Sequence, residues 1–292
     1  ESVKKVRKMD PDLLFFSGDQ IYESVAGYGV MRDRNSVELP ALDYLRKWYL
    51  LGWSFGDLLA TRPSVTIPDD HDVFQGNLWG HGGRKLPSGV NYAHGGYYMA
   101  PEWVNMVQRT QTAHLPDPVD PRPVRQGISV YFTDLTWGRI SFAILEDRKF
   151  KWGSHSDHAQ KNPDKAELLG ERQLSFLERW TADWRNCDMK AVLSQTVFGQ
   201  CHTHAGRDKN VSHQTSDANG WPPHARDAAL RRIRKGFAFM IAGDNHLPTV
   251  VHHGIEGWED AGISFTVPSI AAGFPRGWWP QKVGKERKQG TP

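Results

Sequence analysis

The sequence predicts an α/β fold. Short apolar runs rich in β-branched and aromatic residues stop at Gly-Asp or Asp-rich turns, and stretches with helical apolar spacing alternate with them. No Gly/Ser-rich linker divides the 292 residues, so one large domain over 1–292 is expected. Open α/β sheets place their chemistry at the carboxyl ends of strands, which makes the residues just past each apolar run the functional candidates.

Residues 2–9 read as a basic amphipathic helix leading into the first strand, 13–16. Gly18 lets the backbone turn there so that Asp19 projects from the strand end. Tyr22, three residues on, brings a phenol oxygen toward the same ligand, and an aspartate beside a phenolate suits a hard trivalent cation such as ferric iron. Taken alone, this stretch reads first as an ordinary turn with a half-buried aromatic, since acid-ended strands are common. Residues 41–60 have helical spacing, with Leu42, Leu45, Trp48, Tyr49 and Leu58 as the expected inward side. The strand 64–67 then runs into Pro68 and the cluster Asp69, Asp70, His71, Asp72. Three carboxylates within four residues repel one another unless cations neutralise them, so a metal site competes with a solvated acidic turn.

The glycine-rich loop 76–84, which holds Asn77 and Arg84, lets a backbone approach a ligand closely and reads as a site loop without specifying which. A helix over 102–112 and a proline-rich surface passage, 116–123, follow. Strands 128–134 and 139–145 are spaced as an antiparallel hairpin, and the second ends on Glu146-Asp147-Arg148. The loop 153–163 holds His155 and His158 and reads as exposed. The clearest helix is 169–184, with Leu174, Phe176, Leu177, Trp180 and Trp184 inward, and the strand 190–198 follows it. His202 and His204 form a His-x-His pair in a loop, and Asn219 sits in a polar turn before the basic helix 225–235. The last expected strand, 237–243, ends in Asp244-Asn245-His246, whose alternate residues share a side if the backbone stays extended. Three strand ends carrying Asp, or Asp with His, point to one composite metal site.

Composition narrows the function. Lys and Arg number 36 against 33 Asp and Glu, a net charge of +3, which does not describe a nucleic-acid reader. No apolar run approaches the ~18 residues of a membrane-spanning helix. Two cysteines, Cys187 and Cys201, supply neither a disulfide framework nor a close-spaced zinc pattern.

The order Gly18-Asp19-x-x-Tyr22, Asp69-Asp70-His71-Asp72, Gly170-Glu171-Arg172-Gln173 and Gly243-Asp244-x-His246 resembles the PhoD-like alkaline phosphatases of the metallophosphoesterase superfamily, over about 11–280. The resemblance implies a four-layer α/β/β/α sandwich of two packed mixed sheets and hydrolysis of phosphate mono- or diesters. It implies ferric iron and calcium as cofactors, with manganese or zinc as alternatives. By the same resemblance Asp19 bridges two metals, Tyr22 binds the iron-like one, Asp70 replaces an asparagine ligand, and His71 serves the transition state. Asp244 and His246 match a Gly-His-x-His motif whose first histidine has become aspartate, a change toward oxygen ligands and harder ions. Asn77, Arg84 and Asn219 are candidates to touch substrate; Asp69, Gln195, His202 and His204 are candidate additional ligands, Gln195 standing where a histidine is expected. The family's first metal motif, with its cysteine, is expected upstream of residue 1, and a periplasmic or extracellular location is expected from the resemblance alone. A silent metal- or phosphate-binding domain of the same fold, or a metal-dependent hydrolase of another ester or amide, stays open.

Overall fold

The computed structural model describes residues 1–23, 35–200, 202–203, 211–212, 220–257, 259–270 and 276–278. In chain order its elements are α1 (Ser2–Met9), β1 (Leu14–Phe16), α2 (Glu38–Thr61), β2 (Ser64–Thr66), α3 (Pro101–Thr112), β3 (Thr133–Trp137), β4 (Ile140–Ile144), α4 (Asp157–Lys161), α5 (Gly170–Ala182), β5 (Met189–Thr196), β6 (His202–Thr203), β7 (Val211–Ser212), α6 (Pro223–Ile233), β8 (Phe239–Gly243), β9 (Thr249–His253) and β10 (Gly262–Thr266).

Six strands form one sheet in the order β3-β4-β5-β8-β10-β9. Its four middle strands are parallel and its two edges antiparallel. The parallel interior explains why β5 is buried along nearly its whole length rather than on alternate residues. Period-two alternation sends Ala143, Val192, Met240 and Ala242 to one face, where they pack on Phe176, Leu177 and Trp180 of α5 and on Ala229, Leu230 and Ile233 of α6. Phe142, Ile144, Ala191 and Leu193 take the other face and pack against Val65 and Ile67. Val65 belongs to a small parallel pair, β1 with β2, whose own outer side meets Phe55 and Leu58 of α2 and Val3 and Val6 of α1. Where two packed mixed sheets were expected, the described residues form a mixed α/β fold around one six-stranded mixed sheet, faced by this two-stranded pair.

Several elements differ from the sequence expectation. The hairpin slides C-terminally: β3 starts at Thr133 and the turn falls on Gly138 and Arg139, both with positive φ, as a tight two-residue connection between twisted strands needs. Of the residues expected inward on α2, Leu58 is buried and Trp48 packs on the core, but Leu42, Leu45 and Tyr49 are exposed, and Tyr44 and Phe55 are buried in their place. That helix is apolar on all sides, so its spacing does not say which side faces the core. Trp184 lies beyond the end of α5 and is exposed, while Trp180 is buried and donates from Nε1 to Ser141 Oγ at 2.9 Å. Residue 243 does not end the last strand: β9 and β10 follow, and β10 inserts beside β8. Their alternating, half-exposed residues lack the continuous apolar run that marks the central strands.

Candidate metal centre

The ends of β1, β2 and β8 converge because two glycines permit it. A Cβ on Gly18, which has φ +110°, would overlap the Asp69 side chain, and one on Gly243 would overlap the Ser17 hydroxyl. Asp72, fully buried, then ties the first two loops together. Its Oδ2 accepts from the backbone N–H groups of Asp19 (2.7 Å) and Asp69 (2.8 Å). Its Oδ1 accepts from Ile21 N–H (3.1 Å) and Gln111 Nε2 (2.9 Å). Burial pushes the Asp72 carboxyl up to about 7, against the pull of these donors.

With the loops fixed, two overlapping groups of side chains are spaced to hold a metal ion: Asp19, Asp70 and His71, and Asp69, Asp70 and Asp244, with coordinating atoms within 4.8 Å of one another in each. Asp70 belongs to both. In the first group Asp19 has a left-handed backbone, φ +58°, and its Oδ2 accepts from the Tyr22 hydroxyl at 2.7 Å. The Tyr22 ring stacks on His71 with centroids 4.2 Å apart. Burial, followed by the charges of Asp70, Asp69 and Asp72, holds the Asp19 carboxyl well above the usual carboxylate range. Burial and the Asp19 charge likewise raise the Tyr22 phenol. His71 Nδ1 lies 2.8 Å from Glu23 Oε2. Burial opposes the imidazolium, but the Glu23 hydrogen bond and the charges of Asp70, Glu23 and Asp72 outweigh it and raise the histidine above its ordinary value.

The second group contains a cation of the chain's own. Arg148, buried just past β4, donates from Nε to Asp69 Oδ1 and from Nη2 to Asp244 Oδ1 at 2.6 Å, and its Nη2 stands 3.8 Å from Asp70 Oδ2. Such a guanidinium offers several fixed donors to carboxylates on different strands. Asp69 Oδ2 is buried and accepts no hydrogen bond. Burial nevertheless dominates, and the Asp69 carboxyl sits well above its ordinary value despite the guanidinium.

The remaining candidates fall around this centre. Asn77, exposed and with φ +60°, directs its backbone N–H to Asp70 Oδ2. It also lines an open depression of about 470 Å³ with Trp79, Val90, Asn91, Tyr92 and Ala93. Arg84 belongs to a loop in which Gly80 and Gly82 donate backbone bonds to the carbonyls of Arg148 and Lys149, both at 2.9 Å. Gly80 thus approaches another backbone rather than a ligand, since a Cβ on it would overlap Lys149, while Gly76 of the same loop packs against the His71 ring. Gln195 uses both ends of its buried amide, accepting from Asp147 N–H (3.1 Å) and donating to Pro68 O (3.2 Å). Asp244 and His246 have φ +64° and +60°, so the backbone between them is coiled rather than extended. His246 is not in either metal-capable group among the described residues. The backbone of His202 lies in β6, while its side chain, His204 and Asn219 are outside the described residues. Sequence reasoning assigned no role to Glu23 or Arg148. The signal available for Arg148 was the run 146–149, four ionisable residues at the end of an apolar strand.

The donors fit a hard cation. They are mainly carboxylate oxygens with one phenol and one imidazole, and the bare Asp69 Oδ2 and the raised Asp19 are groups that a cation would relieve.

No curated protein matches the chain. Among solved structures it is similar to one described as "Structure of PhoD", with a TM-score of 0.63 and 21% identity. That match covers 93% of this chain and 53% of the other, so the chain spans about half the length of that relative, and the likeness is one of fold. A family profile described as PhoD-like phosphatase matches residues 1–286, nearly the whole sequence. The chain belongs to the PhoD-like phosphatase family.

Proposed function

We propose that the chain is a metal-dependent phosphoesterase that hydrolyses phosphate mono- or diesters, small or polymeric, by attack of water. The observation that carries the reading is the sharing of Asp70 between two groups, each with coordinating atoms within 4.8 Å, since a two-cation centre needs such a common vertex. The oxygen-rich donors favour ferric iron and calcium, with manganese or zinc as alternatives. When bound, such cations polarise phosphoryl oxygens and acidify water.

Asp19 and Asp70, with Tyr22 beside Asp19, would hold one cation, and Asp69, Asp70 and Asp244 the other, with His246 as a further candidate ligand. His71 donates a proton to the leaving oxygen. Glu23, at 2.8 Å from its Nδ1, orients the ring and keeps it protonated. Asn77, beside Asp70, is a candidate for a phosphate oxygen, and Arg84 and Asn219 are carried in the reading from the sequence. The packing order of α1 and α2, the β1-β2 pair, the six-stranded sheet, then α5 and α6 supports a four-layer α/β/β/α sandwich. Export to the periplasm or cell exterior belongs to the proposal on family grounds, and cell fractionation tests it.

The decisive assay is hydrolysis of an aryl phosphate monoester and the matching diester, with calcium and iron and then with chelator, for the wild type and Asp19→Ala. Chelator-sensitive turnover abolished by the substitution is expected. Bound metal with no cleavage of either ester would refute phosphoesterase activity and leave a metal-binding domain.

A further inference from the structure

Helix α2 carries its apolar residues on the side away from the core as well as toward it. Leu42, Tyr49 and Trp53, at spacings of seven and four, are 65%, 62% and 74% exposed, and Leu39 and Leu45 flank them. Scattered surface leucines need no explanation, but a row that holds a tyrosine and a tryptophan, with Arg46 as the charge among them, does. The end of the stripe at Trp53 is where α1 docks: Arg7 donates to Ser54 O at 3.5 Å and to Asp57 Oδ1 at 2.6 Å. Helix α1, docked there through Arg7, carries exposed Lys4, Lys5 and Lys8 and ends at Met9. The nearby acids Asp57 and Asp10 are each engaged by an arginine, Arg7 and Arg62.

We infer that the outer face of α2, with α1 beside it, is a docking surface for an anionic lipid bilayer. The leucines and the two aromatics supply the chemistry that settles at the headgroup boundary, and the adjoining lysines supply attraction to a negative surface. No described helix is long and apolar enough to cross a membrane, so the contact is peripheral. A second protein copy would match the leucines but leaves the flanking lysines without a counter-charge. This surface stands independently of the metal centre.

The test is co-sedimentation of the full chain with vesicles of phosphatidylcholine alone and of phosphatidylcholine mixed with phosphatidylglycerol, chelator present so that headgroup phosphate does not engage the metal centre. Binding to the mixed vesicles, weakened by salt, is expected. Replacing Tyr49 and Trp53 together by serine should lower partitioning about tenfold or more. Lys4→Glu with Lys5→Glu should abolish the preference for anionic vesicles. Both pairs lie at exposed positions, so circular dichroism should stay that of the wild type. Absence of wild-type binding, or binding that the serine variant does not change, would overturn the inference. So would concentration-dependent dimerisation without lipid that the serine variant abolishes, because the face would then belong to a second copy.

Discussion

Asp69 and Asp244 face a guanidinium, whereas Asp19, across the shared Asp70, faces a phenol hydroxyl and a backbone N–H. Both halves bury carboxylates at strand ends, where isolated charge is costly. One half has Arg148 against two of its acids; in the other the basic group, His71, is engaged by Glu23, and Asp19 itself receives only hydrogen bonds among the described residues. The comparison teaches that the halves differ in what they ask of solution. Burial raises a carboxyl in both halves, but in the Asp69–Asp244 half a guanidinium of the chain's own already bridges two strands, whereas Asp19 has no such partner among the described residues. It also separates ligand acids from framework acids: Asp72, with four donors on it, holds the loops and has no oxygen left to offer.

The strongest way to break the comparison is at its common vertex. Asp70→Ala should lose about 10³-fold or more in kcat/KM and lower bound metal at both positions, measured by aryl phosphate hydrolysis and elemental analysis. Retention of a full metal complement would show that Asp70 is not shared. Next is Arg148→Met, which strips the internal cation from buried acids and should cost about 3–5 kcal/mol in chelator by denaturant unfolding. If the two halves differ as argued, calcium should restore more stability to this variant than it adds to the wild type; equal increments would contradict it.

A smaller effect is expected at Glu23. Glu23→Gln should reduce kcat about 10- to 100-fold with little change in KM, by analogy with other groups that orient a histidine. Because Glu23 raises His71, the alkaline limb of the pH–rate profile should move to lower pH in the variant. A profile that keeps its shape would make Glu23 merely structural. The mildest effect is on pH dependence. Asp72, raised in the folded metal-free protein to about 7, contributes stability present below its ordinary value and lost as pH rises through about 7. Asp19 and Asp69 shift in the same direction. The increment in Tm given by calcium should therefore grow on going from mildly acidic to mildly alkaline pH, by about 2–4 °C per kcal/mol in a chain of this size. A constant increment would mean that the acids are already ionised without metal.

Much of the centre was legible because each part sits where an apolar run stops. Asp19, Asp70, His71 and Asp244 were all found by that rule, and the structure brings them into two adjoining groups. Arg148 obeys the same rule but went unassigned, since a lone arginine after a strand has no spacing that names its partners, which are 79 and 96 residues away. Asp72 was read as a fourth member of an acid cluster; only the directions of neighbouring N–H groups reveal it as framework. The central strands were legible from continuous apolar runs, while β9 and β10 at the sheet's half-exposed side were not. The side on which α2 packs was illegible for a related reason, because its apolar residues answer to two surfaces rather than one.

Arg148 also orders events in time. During synthesis Asp19 and the acids at 69–72 leave the ribosome well before Arg148, and Asp244 follows about a hundred residues later. A nascent chain therefore holds unshielded carboxylates until β4 emerges, and the guanidinium reaches its second strand only when β8 pairs beside β5. Metal capture at the complete centre thus waits for residue 244, and release of the chain before it leaves the acids without the strand that closes them.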